Sequence, residues 1–172
     1  MSSAQSRYLG EQGVGSAIFN FVLNGVIAWL MFRGQATVPL FGQQSIAGDT
    51  IGTCFFLPFL TCLIVTRVAR GHVRAGKVAG IGWTRASHPT LRWLPAGTAL
   101  RGFVLGLGCI ATFAVLTISV LNALGVHELR LWPFVLFKAS FAAGLAAIVT
   151  PVIALWAIAE PGPAPIAQPV PS

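Results

Sequence analysis

Charged residues are scarce in this chain. Only 9% of its 172 residues are Asp, Glu, Lys or Arg, and only four of these are acidic. A soluble domain carries about 25% charged residues, because its surface has to face water. Hydrophobic residues instead make up 55% of the sequence, and the mean hydropathy is +0.79. The composition excludes an ordinary soluble domain and predicts an integral membrane protein.

Residue patterns that support catalysis or cofactor binding are also lacking. The three cysteines lie in apolar runs without a CxxC spacing, and the three histidines are scattered outside the apolar runs. The sequence GLGCIA at 106–111 fits a dinucleotide-binding pattern only loosely, and no strand precedes it. The sequence therefore predicts no catalytic residue, no metal site and no cofactor, and we expect the protein not to be an enzyme.

Four apolar runs are long enough to cross the hydrocarbon core, which takes about 20 helical residues. They predict spans at about 14–32, 46–66, 102–126 and 134–159, within a transmembrane domain 14–159. A polar N-terminal segment, 1–13, precedes this domain, and a proline-rich tail, 160–172, follows it. The predicted fold class is all-α and integral membrane, with four transmembrane helices in two hairpins.

Basic residues concentrate in the link between the second and third spans, residues 67–101. The other two links carry only Arg33, Arg130 and Lys138. Because basic loops remain on the cytoplasmic side, this asymmetry predicts a cytoplasmic link with both termini on the same side.

The same link begins with a basic cluster at helical spacing: Arg67, Arg70, Arg74 and Lys77. We expect these residues to contact anionic lipid headgroups, which attract a basic residue by about 1 kcal/mol, or an acidic patch on a partner. No nucleic-acid-binding fold is recognisable, so nucleic acid is not an expected partner. Further along, Trp83, His88, Pro89 and Trp93 predict a loop that lies in the membrane interface.

Polar side chains inside the spans allow two interpretations. Ser16, Asn20 and Asn24 share one helical stripe of the first span, and Asn122 lies in the third. Asparagine amides often bond between membrane helices, which favours a packing role. The alternative is a polar ligand site or pathway at mid-depth, lined by Asn20 and Asn24.

Asp49 is the single acidic residue near the membrane core. Its position before Thr50 favours a helix cap, in which the carboxylate accepts bonds from free backbone N–H groups. A proton- or cation-binding role is the alternative, and it gains weight if the second span begins near Gln43. Lys138 is expected to snorkel to the interface, and an ion pair with Asp49 or Glu128 stays open.

Small residues recur at intervals near four in the last two spans: Gly102, Gly106 and Cys109, then Ala139, Ala143 and Ala147. Such stripes let membrane helices approach closely. They predict tight packing, either within the chain or against another subunit.

The block from IAWLMFRG to LIVTRVARG, residues 27–71, resembles segments of small, uncharacterised bacterial inner-membrane proteins with four spans. The resemblance implies a bacterial inner-membrane location and no particular activity.

Together these features favour a non-enzymatic accessory or assembly subunit of a larger membrane complex, held by other subunits or by self-association. The alternative is a small oligomeric transporter or channel with a polar site at Asn20, Asn24 and Asp49. A lipid- or quinone-modifying enzyme with chemistry near His88 or Arg92 is a third class.

Overall fold

The computed structural model describes residues 2–83, 95 and 97–160. Its helices are α1 (Ser3–Phe32), α2 (Ile46–Arg74), α3 (Thr98–Cys109), α4 (Val115–Ala123) and α5 (Leu131–Ala159), with a π-helical segment (Ile110–Ala114) joining α3 to α4. Four helices, counting Thr98–Ala123 as one, are long and apolar enough to cross a membrane, which confirms the helical four-span prediction. The predicted interfacial residues His88, Pro89 and Trp93 and the tail from 161 lie outside the described residues.

Helices α1 and α2 extend by two turns or more beyond the spans predicted from the sequence. Helix α1 begins at Ser3 because Ser2 and Gln5 form a capping box: the Gln5 N–H donates to Ser2 Oγ at 3.3 Å, and the Ser2 N–H donates to Gln5 Oε1 at 2.8 Å. Helix α2 continues to Arg74, so Arg67, Arg70 and Arg74 belong to it.

Helix α5 is the centre of the bundle. Both α1 and α2 pack extensively on α5, and α3 packs on the far side of α2, whereas α1 and α2 make few direct contacts. Half of the residues in the apolar stretch of α5 are buried, against 11% of the residues in the corresponding stretch of α1. Helix α1 is therefore covered by its neighbours along one side only.

A short antiparallel sheet closes one end of the bundle, which we call the sheet end. Strand β1 (Thr37–Pro39) pairs with β2 (Glu128–Arg130), with Val38 opposite Leu129. Phe32, Ile46 and Phe134 meet beneath the sheet in a buried cluster, so α1 and α2 are held to α5 there. The Phe32 and Phe134 rings pack edge to face at 4.7 Å.

The opposite end joins the start of α1 to the end of α2. The Tyr8 hydroxyl hydrogen-bonds to His72 Nδ1 at 3.1 Å, and Gln5 Nε2 donates to the Ala79 carbonyl at 2.9 Å. Helices α1 and α2 are thus tied at both ends, and they diverge between those ends.

The glycine stripe of α3 is used within the chain. A Cβ atom at Gly106 would lie 2.9 Å from the Phe55 carbonyl oxygen, and one at Gly102 would lie 3.1 Å from the Phe59 carbonyl oxygen. Only glycine allows α3 to approach the α2 backbone this closely.

Candidate functional site

A groove of about 700 Å³ separates α1 from α2, and α5 forms part of its wall. We call it the α1–α2 groove. Its polar lining residues come from all three helices and from the turn before α2: Ser16, Asn20, Asn24, Gln43, Gln44, Ser45, Asp49, Thr53, Thr61 and Lys138. The rest of its lining is glycine and apolar side chains. Among the apolar ones, Phe19 and Phe56 are more than half exposed and Leu60 is half exposed. The polar residues of the first two spans therefore meet at one cavity.

A ladder of hydrogen bonds runs along the α1 wall. Asn24 Nδ2 donates to the Asn20 carbonyl at 3.1 Å and to Asn20 Oδ1 at 3.3 Å. Asn20 Nδ2 donates in turn to the Ser16 carbonyl at 2.9 Å and to Ser16 Oγ at 3.3 Å. Both amides thus bond back to α1, and the predicted amide bonds between helices are not formed among the described residues.

A threonine joins this ladder to another helix. Thr150 Oγ1 of α5 donates to Ser16 Oγ at 2.8 Å, at the inner end of the ladder. At its other end, no donor among the described residues bonds Asn24 Oδ1. Asn24 lines the groove, so this oxygen is available to accept a hydrogen bond from a ligand.

A buried ion pair occupies the sheet end of the groove. Lys138 Nζ of α5 donates to Asp49 Oδ1 of α2, and the two side chains are only 6% and 8% exposed. Breaking such a pair by removing one partner leaves an uncompensated buried charge and costs about 3–5 kcal/mol. The pair ties α2 to α5 and places one charge of each sign on the groove wall.

The predicted capping role of Asp49 is wrong. Ser45 is the N-cap residue of α2, and its Oγ accepts a hydrogen bond from the Gly48 N–H at 3.2 Å. Asp49 is the fourth residue of the helix, and its side chain pairs with Lys138 instead. The capping interpretation required a helix that begins at Thr50, whereas the helix begins at Ile46, where the span was predicted to start.

The groove is long. Its α1 wall runs from Ser16 to Phe32, which corresponds to about 24 Å of helix. A cavity volume of about 700 Å³ extends along this wall. A groove of this length suits an extended apolar chain.

Other predicted site residues lie elsewhere. Asn122 is exposed on α4 and does not line the groove. Arg67, Arg74 and Lys77 are exposed near the end of α2, where a charged surface is free to interact. Arg70 has an internal partner instead, because its Nη2 atom pairs with Glu160 Oε2 at 2.9 Å.

Arg101 is the largest fully buried side chain among the described residues, and its role was not evident from the sequence. Its Nη2 atom donates to Glu160 Oε1 at 2.6 Å and to the Pro95 carbonyl at 3.2 Å. Glu160 thus joins the end of α5 to α2 and α3, on the opposite side of the molecule from the sheet. We interpret this cluster as structural, since each charge has a partner.

Lys138 and Gly52 are two of the groove residues that the sequence did not assign to a ligand site. Lys138 is a single lysine inside an otherwise apolar helix, which is a signal that its charge needs a partner. Gly52 leaves open space, since a Cβ atom there would meet nothing within 4 Å. Nothing in its local sequence distinguishes it from the packed glycines of α3.

Among the described residues that line the groove, Asp49 is the single His, Cys, Asp or Glu side chain. Across residues 2–83, 95 and 97–160, no three His, Cys, Asp or Glu side chains lie together as a metal-binding group. The chemistry of the groove is hydrogen bonding and paired charge at one end and apolar contact along its length. No family model, curated protein or solved structure matches this chain, so the function is inferred from that chemistry.

Proposed function

We propose that the protein is a non-enzymatic, multi-pass membrane protein that binds an amphiphilic molecule in the α1–α2 groove. This proposal is nearer to the transporter alternative than to the accessory-subunit hypothesis. The observation that carries the proposal is that one cavity gathers Asn20, Asn24, Asp49 and Lys138 beside a long apolar wall. A polar head would contact these groups while its chain follows Phe56 and Leu60.

The volume and length of the groove support an amphiphilic ligand. Small-molecule sites in proteins measure about 300–1,000 Å³ and combine apolar walls with a few placed polar groups. The groove has both properties. Its two walls belong to transmembrane candidates that scarcely touch, so a molecule already dissolved in the bilayer would enter from the side.

The location follows from the resemblance and the charge asymmetry. We propose the bacterial inner membrane, with both termini and the basic residues Arg67, Arg74 and Lys77 on the cytoplasmic side near anionic headgroups. The sheet end, with the Asp49–Lys138 pair, then faces outwards. Reporter fusions at the turn 34–36 and after residue 160 would test this orientation.

A substitution at Gly52 tests binding without disturbing the packing. We expect Gly52→Leu to fill the groove, because the new side chain meets open space. Native mass spectrometry of protein released from lipid nanodiscs should show one retained lipid on the wild type and much less on Gly52→Leu. The matched control is Gly144→Leu, since Gly144 is exposed on α5, has no neighbour within 4 Å of a Cβ and lies outside the groove. Equal retention by all three proteins would contradict the proposal.

Association with another membrane subunit or a second copy is the second candidate. It is favoured by the exposure of α1, because only 11% of the residues in its apolar stretch are buried within the chain. It is disfavoured by the use of Gly102 and Gly106 inside the chain. Gentle purification from native membranes should then yield a stoichiometric partner, and a monomer with bound lipid would favour the groove proposal instead.

A further inference from the structure

The ion pair at the sheet end of the groove restricts the charge of any ligand head that reaches it. Asp49 and Lys138 neutralise each other and are almost fully buried. A head with one net charge would engage one partner and leave the other unpaired in a region of low polarity, which is costly. A head with one positive and one negative group could pair with both.

We propose that the groove selects zwitterionic amphiphiles, in which a primary ammonium group and a phosphate or carboxylate share a short headgroup attached to an acyl chain. The ammonium group would bond the Asp49 carboxylate, and the anionic group would bond Lys138 Nζ. The headgroup would thus exchange one internal ion pair for two intermolecular ones without any change in net charge. The inference rests on the proposed function, because it assigns the ligand class of the same groove.

The hydrogen-bonding groups beside the pair favour a primary ammonium over a quaternary one. A primary ammonium group has three N–H donors, and Asn24 Oδ1 is an acceptor without a donor among the described residues. Gln43 lies at the same end of the groove and offers a further amide group, whereas Gln44 Oε1 already accepts a bond from Gln35 Nε2. A trimethylated head would fill the space without using these acceptors.

The apolar wall of the groove explains why the ligand should carry an acyl chain. Burying CH₂ groups away from water is favourable, so an acyl chain holds the lipid in the bilayer next to the groove. The free headgroup stays in water and should bind weakly. A free zwitterion such as phosphoethanolamine is therefore not the expected ligand. The lipid and the free headgroup share the same polar chemistry, and the experiment below separates them.

The test measures competition among lysolipids with one acyl chain and different heads, in detergent micelles, by native mass spectrometry. We expect the phosphoethanolamine head to outcompete the anionic phosphoglycerol head and a cationic alkylamine by at least about tenfold, with phosphocholine between them. Free phosphoethanolamine should compete poorly. Equal or tighter binding of the anionic lysolipid would overturn the proposal.

Removing both charges of the Asp49–Lys138 pair provides a second test of the proposal. Replacing one partner alone risks misfolding, so we use the double variant Asp49→Asn/Lys138→Gln, which leaves no unpaired charge. Its headgroup preference should fall to less than about threefold while binding of the chain persists. The matched control, Arg7→Gln/Glu11→Gln, removes an exposed pair of α1 joined at 2.8 Å and should keep the wild-type preference.

The outcomes separate this inference from the proposed function. If no lysolipid binds, or if Gly52→Leu binds as the wild type does, the groove is not a ligand site and both fail. If chains bind and Gly52→Leu blocks them, but the head makes no difference, only the zwitterion inference fails. If the double variant retains the full preference, other groups select the head and the role given to the pair is wrong.

Discussion

The two faces of α2 are packed in opposite ways. Phe55 and Phe59 meet α3, where Gly106 and Gly102 let the two backbones approach. Phe56, the neighbour of Phe55 in sequence, is 59% exposed and lines the groove, and Gly52 on the same side faces open space. Glycine therefore does not cause close packing by itself. A close contact forms only where the partner helix is held near, as α3 is and α1 is not.

The largest expected effect comes from breaking the ion pair that joins α2 to α5. Lys138→Gln should lower the free energy of unfolding by about 3–5 kcal/mol, because Asp49 stays buried without its partner. Thermal denaturation in detergent would measure the loss. The double variant Asp49→Asn/Lys138→Gln should recover most of it, and an equally unstable double variant would show that the charges are not coupled.

A smaller loss is expected from filling the packed face of α2. Gly106→Leu should destabilise the protein by about 1–3 kcal/mol, because the new side chain overlaps the Phe55 backbone. Gly108→Leu is the control on the same helix, since a Cβ there meets nothing within 4 Å. Gly52→Leu on the open face should likewise leave stability unchanged or slightly raised. A similar loss for all three variants would remove the difference between the two faces.

The smallest effect concerns the hydrogen bond that attaches the groove wall to α5. Thr150→Val removes the donor to Ser16 Oγ and should cost about 0.6 kcal/mol, the average for interhelical bonds in membranes. Thr112→Val is a suitable control, because the Thr112 hydroxyl is exposed and bonds the Gly108 carbonyl of its own helix at 2.8 Å. A cost above about 2 kcal/mol would mean that the bond supports the whole Asn20–Asn24 ladder.

The spans were predictable because hydropathy and length depend on local sequence alone. The close approach at Gly102 and Gly106 was also predictable as a stripe, although the sequence did not say whether its partner lay within the chain. The sequence left the partner of Lys138 open between Asp49 and Glu128. The choice depends on the fold, because Asp49 and Lys138 are 89 residues apart in the chain. The groove itself was not predictable, because it depends on α1 and α2 both packing on α5 rather than on each other.

The separation of α1 from α2 is the central claim, and disulfide trapping tests it most directly. In a background without Cys54, Cys62 and Cys109, the pair Gly25→Cys/Ala139→Cys should cross-link readily, because a Cβ at Gly25 lies 3.4 Å from the Ala139 Cβ. The pair Asn24→Cys/Thr53→Cys starts from the residue just before Gly25 and joins the two walls of the groove, and it should not cross-link under the same oxidant. Efficient cross-linking of Asn24→Cys/Thr53→Cys would mean that α1 and α2 pack together and that the groove does not exist.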